Sequence, residues 1–247
     1  MTAPTKIKAV FFDFMGTCLD WHSSVVRAMP ASIPAPAASQ LALDWRRQYF
    51  LENEQRVRDH LAPEDIDLTL RRALGVVLDR SSSSSSSPEY KAHLEELSDP
   101  YTTTHLIQAW HRQPAWPEVS TAIQRLRDEL GLEVFVHANG TTRLQLDLTR
   151  SSGLRFDMLF SSQLLGVYKP RAEAYRRGLE LVQLRPEEVV LVAAHAYDLR
   201  GAQKVGMRTV YVHRWTDDVD EDMEMVKGEF DAFLEGMEGL PAAVAGL

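Results

Sequence analysis

The chain has 247 residues, enough for one large domain or a core with a smaller appendage, and its 45% hydrophobic and 25% charged content is that of an ordinary soluble globular protein. Its 27 Lys and Arg against 35 Asp and Glu give a net charge of -8, which argues against broad binding to nucleic acid or anionic membrane and for a small-molecule partner. A single cysteine, Cys18, excludes an internal disulfide and a cysteine-built zinc site; with no apolar run near the roughly 20 residues that span a bilayer and no signal-peptide h-region, the expected location is the cytoplasm.

In chain order, the first predicted strand is Lys8–Phe12. It runs straight into Asp13, and the chain then bends at Gly16 and Thr17. From Trp21 to Gln113 no convincing strand follows. Instead there are helical stretches, "LALDWRRQYFLENEQRVRDHL", "IDLTLRRALGVVLDR" and "YKAHLEEL", which predict a helical cap over residues 21–113 inserted into a core of residues 1–20 and 114–247. Trp21 and His22 open this insertion and are expected to pack against the cap. Inside it, Ser81–Ser87 and Pro88 read as a flexible loop over 81–88, because the run has nothing apolar to bury.

Beyond the insertion the strands resume at Val134–Val136, Met158–Phe160, Val189–Ala194 and Thr209–Val212. Amphipathic helical patterns lie between them in "EVSTAIQRLRDEL", "RLQLDLTRSSG", "RAEAYRRGLELVQL" and "DLRGAQKVG". Continuous apolar strands alternating with such helices predict a doubly wound parallel α/β sheet, with its ligand beyond the carboxyl ends of the strands. The acidic "DDVDEDMEM" at Asp217 reads as a solvated surface loop or helix start.

Polar residues gather at those strand ends. The first carries Asp13 and Thr17, the second Asn139 and Thr141, the third leads to Lys169 in "GVYKP", and the fourth ends in "AAHAYD" with His195 and Asp198. Any one of these suits a helix cap or a turn. Four in succession are harder to assign to capping.

This order resembles the haloacid dehalogenase superfamily, and more narrowly its type II L-2-haloacid dehalogenase branch. The resemblance rests on "DFMGTCLDWHSS", "DWRRQ", "ANG", "VYKPRAEAY" and "VAAHAYDLRGAQKVGMRT", which span nearly the whole chain. It implies a Rossmann-like core with Asp13 as nucleophile, Thr17 orienting it and Lys169 keeping it ionised. It further implies Arg46, Asn139 and Tyr197 around a departing halide, Tyr175 lining the pocket, and Asp198 positioning or activating the hydrolytic water. No metal or other cofactor is implied. Dimers are common among the resembling enzymes, although no pattern here marks an interface.

The chemistry agrees with that direction. In the superfamily's phosphatases a second Asp lies two residues after the nucleophile and exchanges a proton, and Mg2+ is held by several acids. Here that position is Met15, and the fourth strand's loop offers only Asp198 as an acid, a poor donor set for a hard cation. Displacement of halide at carbon needs neither. The expected reaction is therefore metal-independent hydrolysis of a small 2-haloacid through an aspartyl ester.

The chain also departs from the branch, with Ala138 where Ser is expected and Ala193, Ala194 and His195 where the branch reads Ser-Ser-Asn. His195 is thus a candidate site residue able to orient water, act as a base or fill space. His137 reads as a structural histidine. Two alternatives stay open: a hydrolase of a phosphate ester or activated metabolite, with Mg2+, and a binding protein that keeps the fold without turnover.

Overall fold

In the computed structural model, which describes residues 6–84 and 88–247, six parallel strands make one sheet. They are β1 (Ala9–Phe12), β2 (Glu133–Ala138), β3 (Met158–Ser161), β4 (Val189–Ala193), β5 (Arg208–Val212) and β6 (Ala232–Leu234), in the order β3-β2-β1-β4-β5-β6. β1 is central, with Phe12 in register with Val136 on one side and Val192 on the other. Every residue of β1 and β4 is buried, because helices cover both faces of the sheet. Side-chain alternation divides β1 between two cores: Val10 and Phe12 pack into one, Ala9 and Phe11 into the other.

Between β1 and β2 the chain forms α1 (Trp21–Ala28), α2 (Ala35–Arg58), α3 (Ile66–Ser84), α4 (Pro88–Ser98) and α5 (Pro100–Ala109). The core helices follow: α6 (Val119–Leu130), α7 (Thr142–Ser152), α8 (Ser162–Leu165), α9 (Ala172–Val182), α10 (Ala196–Gln203), α11 (Met223–Val226) and α12 (Leu240–Ala245). The two passages between core and insertion lie side by side. Asp20 N donates to Pro114 O at 2.9 Å and Trp116 N to Cys18 O at 3.0 Å. Within the insertion Trp110 stacks on Trp21 and meets Trp45 edge-on, each pair with centroids 5.3 Å apart, so α1, α2 and the end of α5 share one aromatic core.

α1, α8 and α12 were not predicted, and the helices differ from expectation in three further places. α2 starts six residues before the predicted stretch, where the Pro-rich turn after Ile33 supplies prolines suited to a first helical turn. α5 has no clear apolar stripe and three consecutive threonines; it is set by Asp99, whose carboxylate accepts from Tyr101 N and Thr102 N at 3.0 Å, and by Pro100 after it. The serine run is the third and needs correcting. Ser81–Ser84 continue α3, with Ser83 Oγ donating back to Asp79 O at 2.9 Å, so the predicted loop over 81–88 does not begin there. Residues 85–87 lie outside the described residues, and Pro88 already opens α4.

β6 was not predicted; its short apolar run, Ala232–Leu234, is only half-buried at the edge of the sheet. Among the described residues no helix is long and apolar enough to cross a membrane.

Candidate active site

β1 delivers Asp13 to the carboxyl edge at the switch point, where the chain runs to β2 on one side and β4 on the other. Asp13 N donates to Val192 O at 3.0 Å, which carries the strand pairing through the acid itself. Thr17 Oγ donates to Asp13 Oδ2 at 2.8 Å and accepts from Ala194 N at 2.9 Å, so the β1 and β4 loops are cross-linked through the carboxylate. Lys169 Nζ spends its three protons on Asp13 Oδ1 at 3.0 Å, His137 O at 2.7 Å and Asp198 Oδ2. Burial pushes the Asp13 carboxyl up, but Lys169 and His195 outweigh it and hold the group well below the usual carboxylate range.

Asn139 sits at the end of β2 and fixes the Lys169 backbone from both sides. Its Oδ1 accepts from Lys169 N at 2.9 Å and its Nδ2 donates to Lys169 O at 3.1 Å. The second amide N–H of Asn139 is left for a ligand, and the residue lines the cavity. His137 is fully buried, its Nε2 donating to Ala174 O at 3.0 Å. Burial beside Lys169 lowers its pKa to about 3, so the ring is neutral.

Two residues have other placements than expected. Tyr175 does not line the cavity. It is fully buried beneath Asp198, donating to its Oδ1 at 2.7 Å and its backbone O at 3.0 Å. Asp198 is itself fully buried with one oxygen facing Tyr175 and the other Lys169, so the expected contact with a water from the cavity is not presented. Burial raises its pKa against the pull of Lys169. Its geometry is that of a group that anchors Lys169.

His195 is also turned away from the expected substrate contact. Its Nδ1 lies 3.0 Å from Asp13 Oδ2 and its Nε2 2.9 Å from Asp217 Oδ1. Two acidic acceptors flank the ring, so it holds a proton on each nitrogen. Burial opposes that charge, but Asp13 and Asp217 prevail and push its pKa up to about 10. Asp217 corrects the reading of its segment as solvated, for it is 4% exposed and fully engaged. Oδ2 accepts from Trp21 Nε1 at 3.0 Å and Thr216 Oγ at 2.8 Å, and Oδ1 from Arg46 Nη2 at 3.4 Å. Burial raises Asp217, but His195 and Arg46 lower it further, to about 2. The signal was available: Asp217 follows the end of β5 within five residues, on the edge that carries the other polar groups.

Asp217 also explains Gly16, where φ is +88° and an added Cβ would lie 2.6 Å from both Asp217 carboxylate oxygens. Gly16→Ala is expected to cost about 2 kcal/mol of stability through the strained φ and displaced carboxylate, and to slow turnover on the order of 100-fold. Urea unfolding and steady-state rates check both parts.

The His195 shift predicts a pH effect on stability. The folded pKa is raised, so the contribution is whole below pH 6.5 and is lost as pH rises toward 10. Urea midpoints should fall over that window in the wild type, and less so in His195→Gln.

Above these groups opens a cavity of about 790 Å3, lined by α2 residues including Arg46 and Phe50, by Asn139, Lys169 and Tyr197, and by residues 216–221. Arg46 is 4% exposed, and its guanidinium carbon lies 4.5 Å from the Phe50 ring centre and 5.4 Å from that of Trp21. Nη2 donates to Met15 O at 3.1 Å, while Nε and Nη1 have no partner. A buried cation with unfilled donors at a cavity wall is suited to an anion. Tyr197 is half-buried with its ring 5.9 Å from His195 and 6.1 Å from Phe50. Among the described residues no group of three or more His, Cys, Asp or Glu is arranged to hold a metal ion; the site carboxylates face Lys169, His195 and Arg46 instead. The arrangement can present an ionised carboxylate to an electrophilic carbon in the cavity, with an anion acceptor close by.

A family model of haloacid dehalogenase-like hydrolases matches residues 7–206. The chain is 26% identical over 232 residues to (S)-2-haloacid dehalogenase 4A of Burkholderia cepacia, covering 93% of each chain. It is 26% identical over 219 residues to haloacetate dehalogenase H-2 of Moraxella sp. (strain B), covering 87% of this chain and 90% of that one. Among solved structures, an L-2-haloacid dehalogenase with 26% identity superposes with a TM-score of 0.75 over 98% of this chain and 100% of the other. The L-2-haloacid dehalogenase of Xanthobacter autotrophicus, at 22% identity and a TM-score of 0.76 over 98% and 99%, shares the fold.

Proposed function

The chain belongs to the haloacid dehalogenase-like hydrolases, and from that membership we propose that it hydrolyses small (S)-2-haloacids to 2-hydroxy acids through an ester on Asp13. The observation that carries the reading is an ionised, buried Asp13 held by Lys169, which lines the cavity, together with the unfilled donors of Arg46 in the wall of that same cavity. Asp13 attacks C2 in line, and halide leaves toward Arg46, whose aromatic surroundings exclude water and strengthen its hold on an anion. Tyr197 and Asn139 complete the cavity wall near the departing group. Halide departs unprotonated, which accords with Met15 two residues after Asp13, where no side chain can supply a proton. The relatives named for (S)-2-haloacids and haloacetate support the substrate class.

Lys169, Thr17 and Asp198 form the support. Lys169 and Thr17 keep the nucleophile charged and oriented, and Asp198, held by Tyr175, fixes Lys169. No step requires a metal, which distinguishes this reading from phosphate-ester hydrolysis. The cavity volume accommodates acids with a C2 substituent larger than methyl.

The test is halide release from a panel of monochloroacetate and both enantiomers of 2-chloropropionate and 2-chlorobutyrate, with EDTA and with Mg2+. Release in EDTA from the (S)-acids is expected. No release from any member, or Mg2+-dependent turnover of p-nitrophenyl phosphate instead, would sink the substrate class.

A further inference from the structure

We propose that His195, anchored by Asp217, is the base that hydrolyses the Asp13 ester. The inference rests on the ester reading above. It starts from geometry: of these two buried groups, Asp198 turns its oxygens to Lys169 and Tyr175, while His195 directs Nδ1 at Asp13 Oδ2 from 3.0 Å.

The remainder of the dyad is built as an orienting group should be. Asp217 is held by Trp21, Thr216 and Arg46, which come from the insertion and the loop after β5, and it presents Oδ1 to His195 Nε2 at 2.9 Å. Carboxylate, imidazole and nucleophile stand in one hydrogen-bonded row. Lys169 and Asp217, which touch Asp13 and His195, border the cavity, and the step requires water to enter between them.

Charge explains when the base becomes available. In the resting site the two carboxylates keep the imidazole doubly protonated, and it helps keep Asp13 ionised. When Asp13 attacks C2, the carbon–halogen bond breaks, halide leaves with the bonding pair, and the Asp13 charge is gone. His195 then keeps only Asp217 as an anionic partner and releases its Nδ1 proton to solvent. That proton and the halide are the net HX of the reaction.

Neutral His195 next takes a proton from water as the oxygen adds to Cγ of Asp13, with Lys169 and Thr17 donating to the carboxyl oxygens. Collapse breaks the bond from Cγ to the ester oxygen. The leaving alkoxide takes the proton from Nδ1 and departs as the 2-hydroxy acid. The Asp13 acid so formed returns its proton to His195, which restores the resting pair.

The assignment separates the two half-reactions. In His195→Gln the amide still donates to Asp13 but cannot accept the water proton. Rapid-quench halide measurement with (S)-2-chloropropionate should give one equivalent per site at a rate within about tenfold of wild type, while steady-state turnover falls on the order of 10²- to 10⁴-fold. Intact mass should find the carboxyethyl ester accumulated. Asp217→Asn, which keeps the imidazole but removes its anionic anchor, should accumulate the same ester to a lesser degree, and circular dichroism establishes that both variants fold.

If His195→Gln slows the halide burst as much as turnover and no ester builds up in either variant, His195 serves only to hold Asp13 ionised and the base assignment is overturned. Absence of a halide burst from the wild type across the whole panel overturns the ester reading itself, and this step with it.

Discussion

Asp13→Asn should reduce halide release by at least about four orders of magnitude while leaving the fold intact. The amide is nearly isosteric with the carboxylate, so β1 still ends between β2 and β4, although its single oxygen can accept from Lys169 or from Thr17 but not from both. What disappears is the charge. A neutral amide oxygen is a poor nucleophile toward C2, and the two carboxylates nearest in the hydrogen-bonded cluster are engaged elsewhere: Asp198 is fully buried behind Lys169, and Asp217 points at His195 and Arg46. The variant should remain folded by circular dichroism, and its residual halide release, followed for hours, should not exceed about one part in ten thousand of wild type.

Lys169→Met should have the second largest effect, and it acts on stability and chemistry together. Lys169 is 2% exposed and is the cation shared by Asp13 and Asp198. Removing it leaves two buried carboxylates with His195 as the remaining close cation, a change that typically costs about 3–5 kcal/mol. The sign of the pH dependence follows from Asp13. In the wild type its folded pKa lies below the usual 3.8, so its contribution to stability is present above that pH and is lost as pH falls. Without Lys169, burial dominates, folded carboxylate pKa values rise, and the variant becomes relatively more stable in acid. Urea midpoints of wild type and variant should therefore differ most near pH 7 and converge toward pH 4, with turnover at pH 7 nearly abolished because Asp13 is no longer reliably ionised.

Most of the core was legible because its strands are buried on both faces and so read as unbroken apolar runs, with polar residues stopping each run at the carboxyl edge. Asp13, Thr17, Asn139, Lys169, His195 and Asp198 lie together at that edge, and Arg46 reaches them from α2 through Met15 O. What was not legible has a common cause. Asp217 stands among acids that composition marks as solvated, and only the fold reveals that Trp21, Thr216 and Arg46 supply the donors that draw it inside. Tyr175 and Asp198 were placed near the ligand, yet their partnership with each other closes them off from it. α5 and β6 lack the periodicity that identifies an element, being set by an N-cap and by pairing with β5. The serines at 81–84 failed on propensity, since the helix they extend was already nucleated upstream.

The central claim, displacement at carbon by Asp13, is tested most directly by a single turnover with enzyme in excess over (S)-2-chloropropionate in oxygen-labelled water, followed by mass analysis of product and of the peptide containing Asp13. An ester hydrolysed at Cγ places the heavy oxygen in the Asp13 carboxylate and leaves the first-turnover lactate unlabelled. Heavy oxygen in that lactate and none in Asp13 would mean that water attacks C2 directly, and would contradict the account.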